Sequence, residues 1–410
     1  MVLFNPALFH KNIDTNQIVT YLMSDIHINM TRANGATSHI LNTVYYLRRS
    51  GINVNFLALT HPHRCFTSEN SQGMVGYSSN YDVAFPPCSI LNSLKLYSAI
   101  HQSTNIIHER YSAINIAGAI YSYVNHVPLV LEVNAPLIEE WSTQRQQKFF
   151  EKRTAIYFTK ISFRMASRIL VVSETLKQIL MNDWKVSDEK IVVLSNAVDV
   201  QLFQSPYSEV AHDLVDKLRH LEGRRPICMY VGSLHDWQGV DILIDAFAKL
   251  VVNNINGILV IVGDGREMSY LRNQVNQLAI SERVIFIGEI PHKSVPYVLS
   301  FADVCVLPYR QLPRFYFSPM KLYEYMAAGK AIVASGQGQI LNVIEHNKNG
   351  VIVPPNNVEA LATAIHDLFI NDFWRNILSI NALNTVRNNT WNNYVSRLQE
   401  VYCDIFKKEK

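Results

Sequence analysis

Short runs of β-branched and apolar residues alternate with stretches of helical length almost from one end of the chain to the other. Six such runs fall in the first half: Gln17 to Ser24, Ile52 to Thr60, Asn105 to Tyr111, Pro128 to Asn134, Arg168 to Ser173 and Lys190 to Asn196. After Asn196-Ala197-Val198-Asp199 a polar, poorly periodic segment leads to about Arg225. The rhythm then restarts with Ile227 to Leu234, Gly257 to Gly263, Val284 to Gly288, Val304 to Pro308, Ala331 to Ser335 and Val351 to Pro354. Short apolar strands separated by helices are the βαβ rhythm of a parallel sheet covered on both faces. The pattern therefore predicts two Rossmann-like α/β domains in tandem, 1–200 and 201–385. From Val358 onward the chain reads as helical to its end, with Trp391, Tyr394 and Leu398 recurring every three to four residues, and 386–410 is assigned to a terminal helix.

Composition narrows the class without changing the architecture. With 410 residues, 48% hydrophobic and 17% charged, the chain has the make-up of an ordinary globular protein, and its length favours two domains. A net charge of +3 is too mild for a nucleic-acid partner, which is set aside. Cys65, Cys88, Cys228, Cys305 and Cys403 lack metal-ligand spacing, and Cys228 and Cys305 sit inside strand-like runs, as reduced thiols of a cytoplasmic protein do. The first residues, Met1 to Pro6, carry no basic segment, so no secretory signal is expected, and no apolar run is long enough to predict a membrane span.

The most informative stretch is Ser318-Pro319-Met320-Lys321-Leu322-Tyr323-Glu324-Tyr325-Met326-Ala327-Ala328-Gly329-Lys330, followed by the strand Ala331 to Ser335. A small polar residue and a proline open a helix, and small residues and a glycine close it. Such a unit sets free backbone N–H groups and a partial positive charge at the C-terminal edge of a parallel sheet, where a phosphate binds. Four more loops share that edge: Gly232 to Gly239, Gly263-Asp264-Gly265-Arg266, Gly288-Glu289-Ile290-Pro291 and Pro308-Tyr309-Arg310. Glycine where strand meets helix lets backbone amides approach a phosphate closely.

With these motifs in ordered register, the chain resembles the family 4 glycosyltransferases of the GT-B fold, in the subgroup with a Ser-Pro-x-Lys-Leu-x-Glu-Tyr motif, and it does so over nearly its whole length, from Asn34-Gly35-Ala36 to the terminal helix. The resemblance implies a C-terminal domain that binds a nucleoside-diphosphate sugar, an N-terminal domain that binds the acceptor across a cleft, a last helix returning to the N-terminal domain, and transfer with retention at the anomeric carbon. It implies ribose hydroxyls on Glu324, the donor diphosphate on the amides from Pro319 through Met320 and Lys321 to Leu322, with Ser318 beside them, the nucleobase beside Gly288, Glu289 and Ile290, a donor-cleft turn at Gly263 and Asp264, and an approach of Gly35 to the diphosphate from the other domain. The donor is expected to be UDP- or GDP-linked, the acceptor a glycan, a lipid-linked sugar or a small molecule, and no metal cofactor is implied, since the chain has no Asp-x-Asp triplet. Domain closure would hinge about residues 197 to 225 and the start of the last helix.

Three departures from the family, at four positions, stand out. Tyr316 stands where a donor-sugar carboxylate is usual, eight residues before Glu324. Ser233 and Gln238 stand where the family has an Arg and a Lys on the diphosphate, so another cation is needed, and Lys321 and Arg310 are the leading candidates, with Arg266 and Arg314 behind them. Asn134 replaces a histidine facing the donor sugar, and with Glu109 it is the candidate reacting-centre residue of the first domain. His235 and His292 read as exposed loop histidines, and Trp237 as packing for a helix start. From Ser142 to Arg168 a basic stretch with Arg145, Lys148, Lys152, Arg153, Lys160 and Arg164 interleaves with aromatics, either as a peripheral membrane contact or as the solvated side of a core helix. The alternatives to transfer are a donor-binding subunit without turnover and a same-fold sugar phosphorylase. A dinucleotide-dependent oxidoreductase is disfavoured because neither half opens its first helix with Gly-x-Gly-x-x-Gly.

Overall fold

A computed structural model describes residues 17–24, 35–58, 90–139, 149–204, 214, 218, 223 and 226–408. Asn34, Cys65, Cys88, Arg145, Lys148 and most of the expected hinge lie outside these residues. All twelve expected strands are present, each within the run that predicts it except that β3 starts one residue earlier, at Thr104. They are β1 Ile18–Met23, β2 Asn53–Ala58, β3 Thr104–Arg110, β4 Leu129–Val133, β5 Arg168–Val171, β6 Ile191–Val193, β7 Ile227–Val231, β8 Ile258–Val262, β9 Val284–Gly288, β10 Val304–Leu307, β11 Ala331–Ser335 and β12 Val351–Val353.

The chain divides into two compact units. Unit 1 holds 1–195 with 391–410, and unit 2 holds 196–390. The unit boundaries therefore fall five residues before the first expected one and five after the second. The reason is local. Asn196 donates its side-chain amide to the Ser318 carbonyl at 2.5 Å and its backbone N–H to Ser318 Oγ at 3.2 Å, Val198 pairs with Thr390, and both anchors belong to unit 2.

Each unit is a six-stranded parallel sheet, in the orders β2-β1-β3-β4-β5-β6 and β12-β11-β10-β7-β8-β9. β7, β8, β10 and β11 are buried along their whole length, because helices cover both faces and leave no position exposed to solvent. In each sheet the order reverses beside the first strand, between β1 and β3 and between β7 and β10. At such a switch point the connections leave in opposite directions and open a crevice at the carboxyl ends of the strands.

The helical tail is three helices, Val358–Ile370, Asp372–Val386 and Trp391–Lys408. The first two begin at asparagines that accept from the backbone three residues on, Asn357 from Ala360 and Asn371 from Trp374. The third belongs to unit 1, where Trp391 packs edge-on to His39 of the Gly35–Arg49 helix. No helix among the described residues is long and apolar enough to cross a membrane.

Candidate active site

The Met320–Ala327 helix follows β10 and begins at the switch point of unit 2. Pro319 caps it with an extended backbone and no side-chain hydrogen bond. The Leu322 N–H is taken by the Pro319 carbonyl at 3.1 Å, and Leu322 itself is core. Of the four expected diphosphate amides, Pro319 has no N–H and Leu322 is committed, which leaves Met320 and Lys321 as first-turn donors without an intrahelical acceptor. The Ser318 hydroxyl is engaged with Asn196, so it fixes the chain crossing.

Lys321 reaches back across the switch point to β7. Its Nζ donates to Tyr230 Oη at 2.9 Å and to Gln238 Oε1 at 2.7 Å, and it lies 4.3 Å from the centroid of the Tyr230 ring. Both hydrogen-bond partners are neutral. Burial pushes its ammonium down to about 7, against a weaker upward pull from Glu324. Gly232 makes the room, since a Cβ there would lie 2.5 Å from Nζ. Gln238 is therefore buried beneath the cation as its anchor, in the place where the family carries a cation of its own.

Arg310 is already matched. It pairs with Asp236 at 2.9 Å and with Asp241, and its Nε donates to the Asp236 carbonyl at 3.0 Å, so it ties the loop after β10 to the loop after β7. Ser233 is exposed, and its carbonyl accepts from Tyr230 Oη at 2.8 Å. Gly263 lies against the Gly232 carbonyl, where no Cβ fits. Asp264 is exposed and accepts from the Gly265 N–H at 2.7 Å. Gly288 has φ +88°, Glu289 is exposed, and Ile290 packs half-buried on the core. Trp237 stacks on Phe317 with ring centroids 4.8 Å apart, which is the packing role expected of it, and Tyr316 is buried with its ring 4.2 Å from that of Phe317.

Glu324 sits one turn behind Lys321, and His292 meets it. The Nε2–Oε1 distance is 2.7 Å, with side-chain exposures of 35% for the histidine and 10% for the carboxylate. His292 is thus a partner of the central carboxylate rather than a free loop histidine. Sequence reasoning missed it because the pairing joins residues 32 positions apart.

In unit 1 the polar centre is Glu132 on β4. Its carboxylate meets His39 at 3.0 Å, His108 at 3.2 Å, Arg110 at 2.8 Å and the Tyr21 hydroxyl at 2.8 Å. Burial alone would raise this carboxyl, but His39, His108 and Arg110 hold it well below its ordinary value. Asn134 donates its side-chain amide to Glu132 Oε1, and its own Oδ1 is buried with no hydrogen-bond partner. Glu109 faces the other side of β3, beneath the Ala117–Asn125 helix. It is 1% exposed, so it belongs to the core and not to a reachable strand end. Burial pushes its carboxyl up to about 8 against weaker downward pulls from the Ser24 hydroxyl and the Gly118 backbone, neither of which reaches full hydrogen-bonding geometry. The strand alternation that turns Glu109 inward turns His108 towards Glu132. Gly35 opens the first helix of this unit and is exposed. The signal for Glu132 was an acid inside the apolar run Leu129–Val133.

Residues 33–202 match the profile of the Glycosyltransferase Family 4 proteins, and residues 216–385 that of the Glycosyl transferases group 1. An uncharacterized glycosyltransferase of Methanocaldococcus jannaschii is 26% identical over 57% of this chain and 59% of its own. The alpha-D-kanosaminyltransferase of Streptomyces kanamyceticus is 24% identical over 65% and 68%. The matches thus span about six-tenths to two-thirds of these relatives' length. Among solved structures, a glycosyltransferase of Rickettsia africae superposes with a TM-score of 0.73 at 17% identity, covering 95% of this chain and 99% of that one. Anabaena HepE in complex with UDP and glucose gives a TM-score of 0.73 at 19% identity, covering 95% and 100%. The first half thus matches the family 4 glycosyltransferase profile and the second half the group 1 profile, on the two six-stranded parallel sheets of a GT-B fold.

Proposed function

We propose that this chain transfers a sugar from a nucleoside-diphosphate sugar to an acceptor with retention of configuration, and that unit 2 holds the donor. The observation that carries the reading is Lys321, a half-buried ammonium whose two hydrogen-bond partners are neutral, placed beside a free helix N-terminus at the switch point. The diphosphate would lie on the Met320 and Lys321 amides and the Lys321 ammonium, the ribose hydroxyls on Glu324, and the base beside Gly288 to Ile290. In the reaction the bond from the anomeric carbon to the diphosphate oxygen breaks, and its electron pair leaves with the diphosphate. The acceptor oxygen bonds to the same face of that carbon, and its proton passes to the departing diphosphate. The protein's part is to hold charge in place as it develops. Lys321 supplies the neutralising cation, so turnover needs no divalent metal.

The acceptor belongs to unit 1 in this reading. On its Phe149–Met165 helix, Ala155, Phe158, Thr159 and Phe163 turn inward, while Lys152, Arg153, Tyr157, Lys160 and Arg164 face outward. An anionic, lipid-linked acceptor suits that basic face, and reversing Arg153, Lys160 and Arg164 together would abolish liposome binding if it meets a membrane. Tyr316 in place of a carboxylate favours the second reading, a donor-binding subunit without turnover.

UDP is the first probe, since HepE carries it, with GDP beside it because a Mycobacterium tuberculosis relative, 27% identical over 37% of this chain and 40% of its own, is named as GDP-mannose-dependent. A thermal-shift panel of UDP, GDP, ADP, NAD and NADP with EDTA present tests the donor reading. Stabilisation by one nucleoside diphosphate and its loss in Lys321→Ala are expected; stabilisation by NAD alone would overturn it. Slow hydrolysis of the matching donor sugar would separate a transferase from an inactive subunit.

A further inference from the structure

The loop after β9 brings an imidazole onto the carboxylate assigned to the ribose. His292 opens the 3-10 turn His292–Ser294, and its contact with Glu324 Oε1 is the one hydrogen bond that the described residues make to this carboxylate. A carboxylate has no proton to give, so Nε2 carries the hydrogen and donates. Burial alone would push the imidazole down, and its hydrogen bond and charge attraction to Glu324 more than reverse that, leaving it above its ordinary value.

The geometry has a consequence for what else the carboxylate can bind. The terminal torsion of a glutamate is broad, so its two oxygens have no fixed plane of their own. A donor on Oε1 fixes that plane. It leaves Oε2 and the second lone pair of Oε1 for a ligand that presents two adjacent O–H groups, which is the pattern of a ribose 2′,3′-diol. His292, as the more exposed member of the pair, also stands at the rim where such a ligand would arrive.

We propose that His292 is a positioning residue for sugar-nucleotide recognition, fixing the Glu324 carboxylate so that both oxygens meet the 2′- and 3′-hydroxyls of the nucleoside. This rests on the ribose reading of Glu324 given above. It makes the His292–Glu324 pair the determinant that distinguishes ribonucleotides from 2′-deoxyribonucleotides. Because the diol is remote from the anomeric carbon and is held equally in ground and transition states, loss of His292 raises the donor KM and leaves kcat nearly unchanged.

The test is calorimetric binding of UDP and 2′-deoxy-UDP, or of GDP and 2′-deoxy-GDP if guanine is the base bound, to the unaltered protein, His292→Ala, His292→Gln and Glu324→Ala. The unaltered protein should prefer the ribonucleotide by about tenfold, and Glu324→Ala should bring the ratio close to one. His292→Ala should lose most of the preference, and His292→Gln, whose side-chain amide still donates to Oε1, should recover most of it. If Glu324→Ala erases the preference while His292→Ala keeps it, His292 does not position the carboxylate and the ribose reading survives. If Glu324→Ala keeps the preference, the ribose reading itself falls.

Discussion

Lys321, half-buried, and Glu132, fully buried, are charged residues handled in opposite ways, and each gives a pH dependence of a definite sign. Lys321, pushed down to about 7 from an ordinary 10.5, is about half protonated at neutral pH. A diphosphate beside it would restore the proton, so donor binding at pH 8 should take up nearly one proton and weaken as pH rises above about 7. Calorimetry in two buffers of different ionisation enthalpy measures this uptake, and Lys321→Arg, charged throughout, should bind without it. Between about 7 and 10.5 the unfolded chain holds a proton that the folded chain has released, so the contribution of Lys321 to stability rises with pH. Glu132 is held below its ordinary 4.5, so its contribution is present above that value and is lost as pH falls through the lowered one. Glu132→Gln leaves His39, His108 and Arg110 around a neutral amide, and it should destabilise unit 1 by about 3–5 kcal/mol at pH 7 and flatten its stability profile below pH 4.5, as urea melts across pH would record. Lys321 and Glu324 were legible because a local motif contains both. His292 and Glu132 were not, because what defines them is a partner contributed by another element.

At the scale of elements, the strands and the helix after β10 were readable because each is set by a local pattern of apolar runs, a proline near the start, and a glycine with φ +62° at Gly329 just past the end. The way the loops interlock was not readable, since it depends on backbone from one βα unit meeting backbone from another. Gly239 is the example. It has φ +69°, it starts the Val240–Val252 helix, and a Cβ there would run into the Pro308 carbonyl oxygen. Two loops therefore share the space of one missing methyl group, and the Arg310 N–H to Trp237 carbonyl bond of 3.2 Å crosses the same junction. Gly239→Ala should cost unit 2 about 1–3 kcal/mol and weaken donor binding by shifting the loop that carries Gln238 and hence Lys321. Gly329→Ala is the control: its φ is +62°, but nothing lies within 4 Å of a Cβ, so backbone strain of about 1 kcal/mol should be the whole cost. Chemical denaturation of both variants, with and without nucleotide, separates loop displacement from strain alone.

At the scale of the whole molecule, the chain builds six strands of unit 1, then all of unit 2, and only then supplies the helix that completes unit 1. The expected return of the last helix to the first domain is a matter of burial. Trp391, Tyr394, Val395, Leu398, Val401, Tyr402 and Ile405 are all buried, and the Tyr402 hydroxyl lies 2.6 Å from His108 Nδ1, within the shell around Glu132. Burying a large apolar side chain is worth about 1.5–3 kcal/mol, so these seven together are at least comparable to the roughly 5–15 kcal/mol by which a domain is stable. A chain ending at Thr390 should therefore lose the cooperative folding of unit 1. Unit 2 loses no residue by that truncation, and of the groups set against the diphosphate and the ribose all but Gly35 lie within it. Hydrogen exchange read by mass spectrometry, with and without UDP or GDP, should find unit 1 peptides unprotected in the truncated chain. Nucleotide-dependent protection should persist at the ends of β7 and β10 and through Met320–Ala327. Loss of that protection along with unit 1 would mean that the donor site is not complete within Asn196–Thr390, and the assignment of donor binding to unit 2 alone would have to be abandoned.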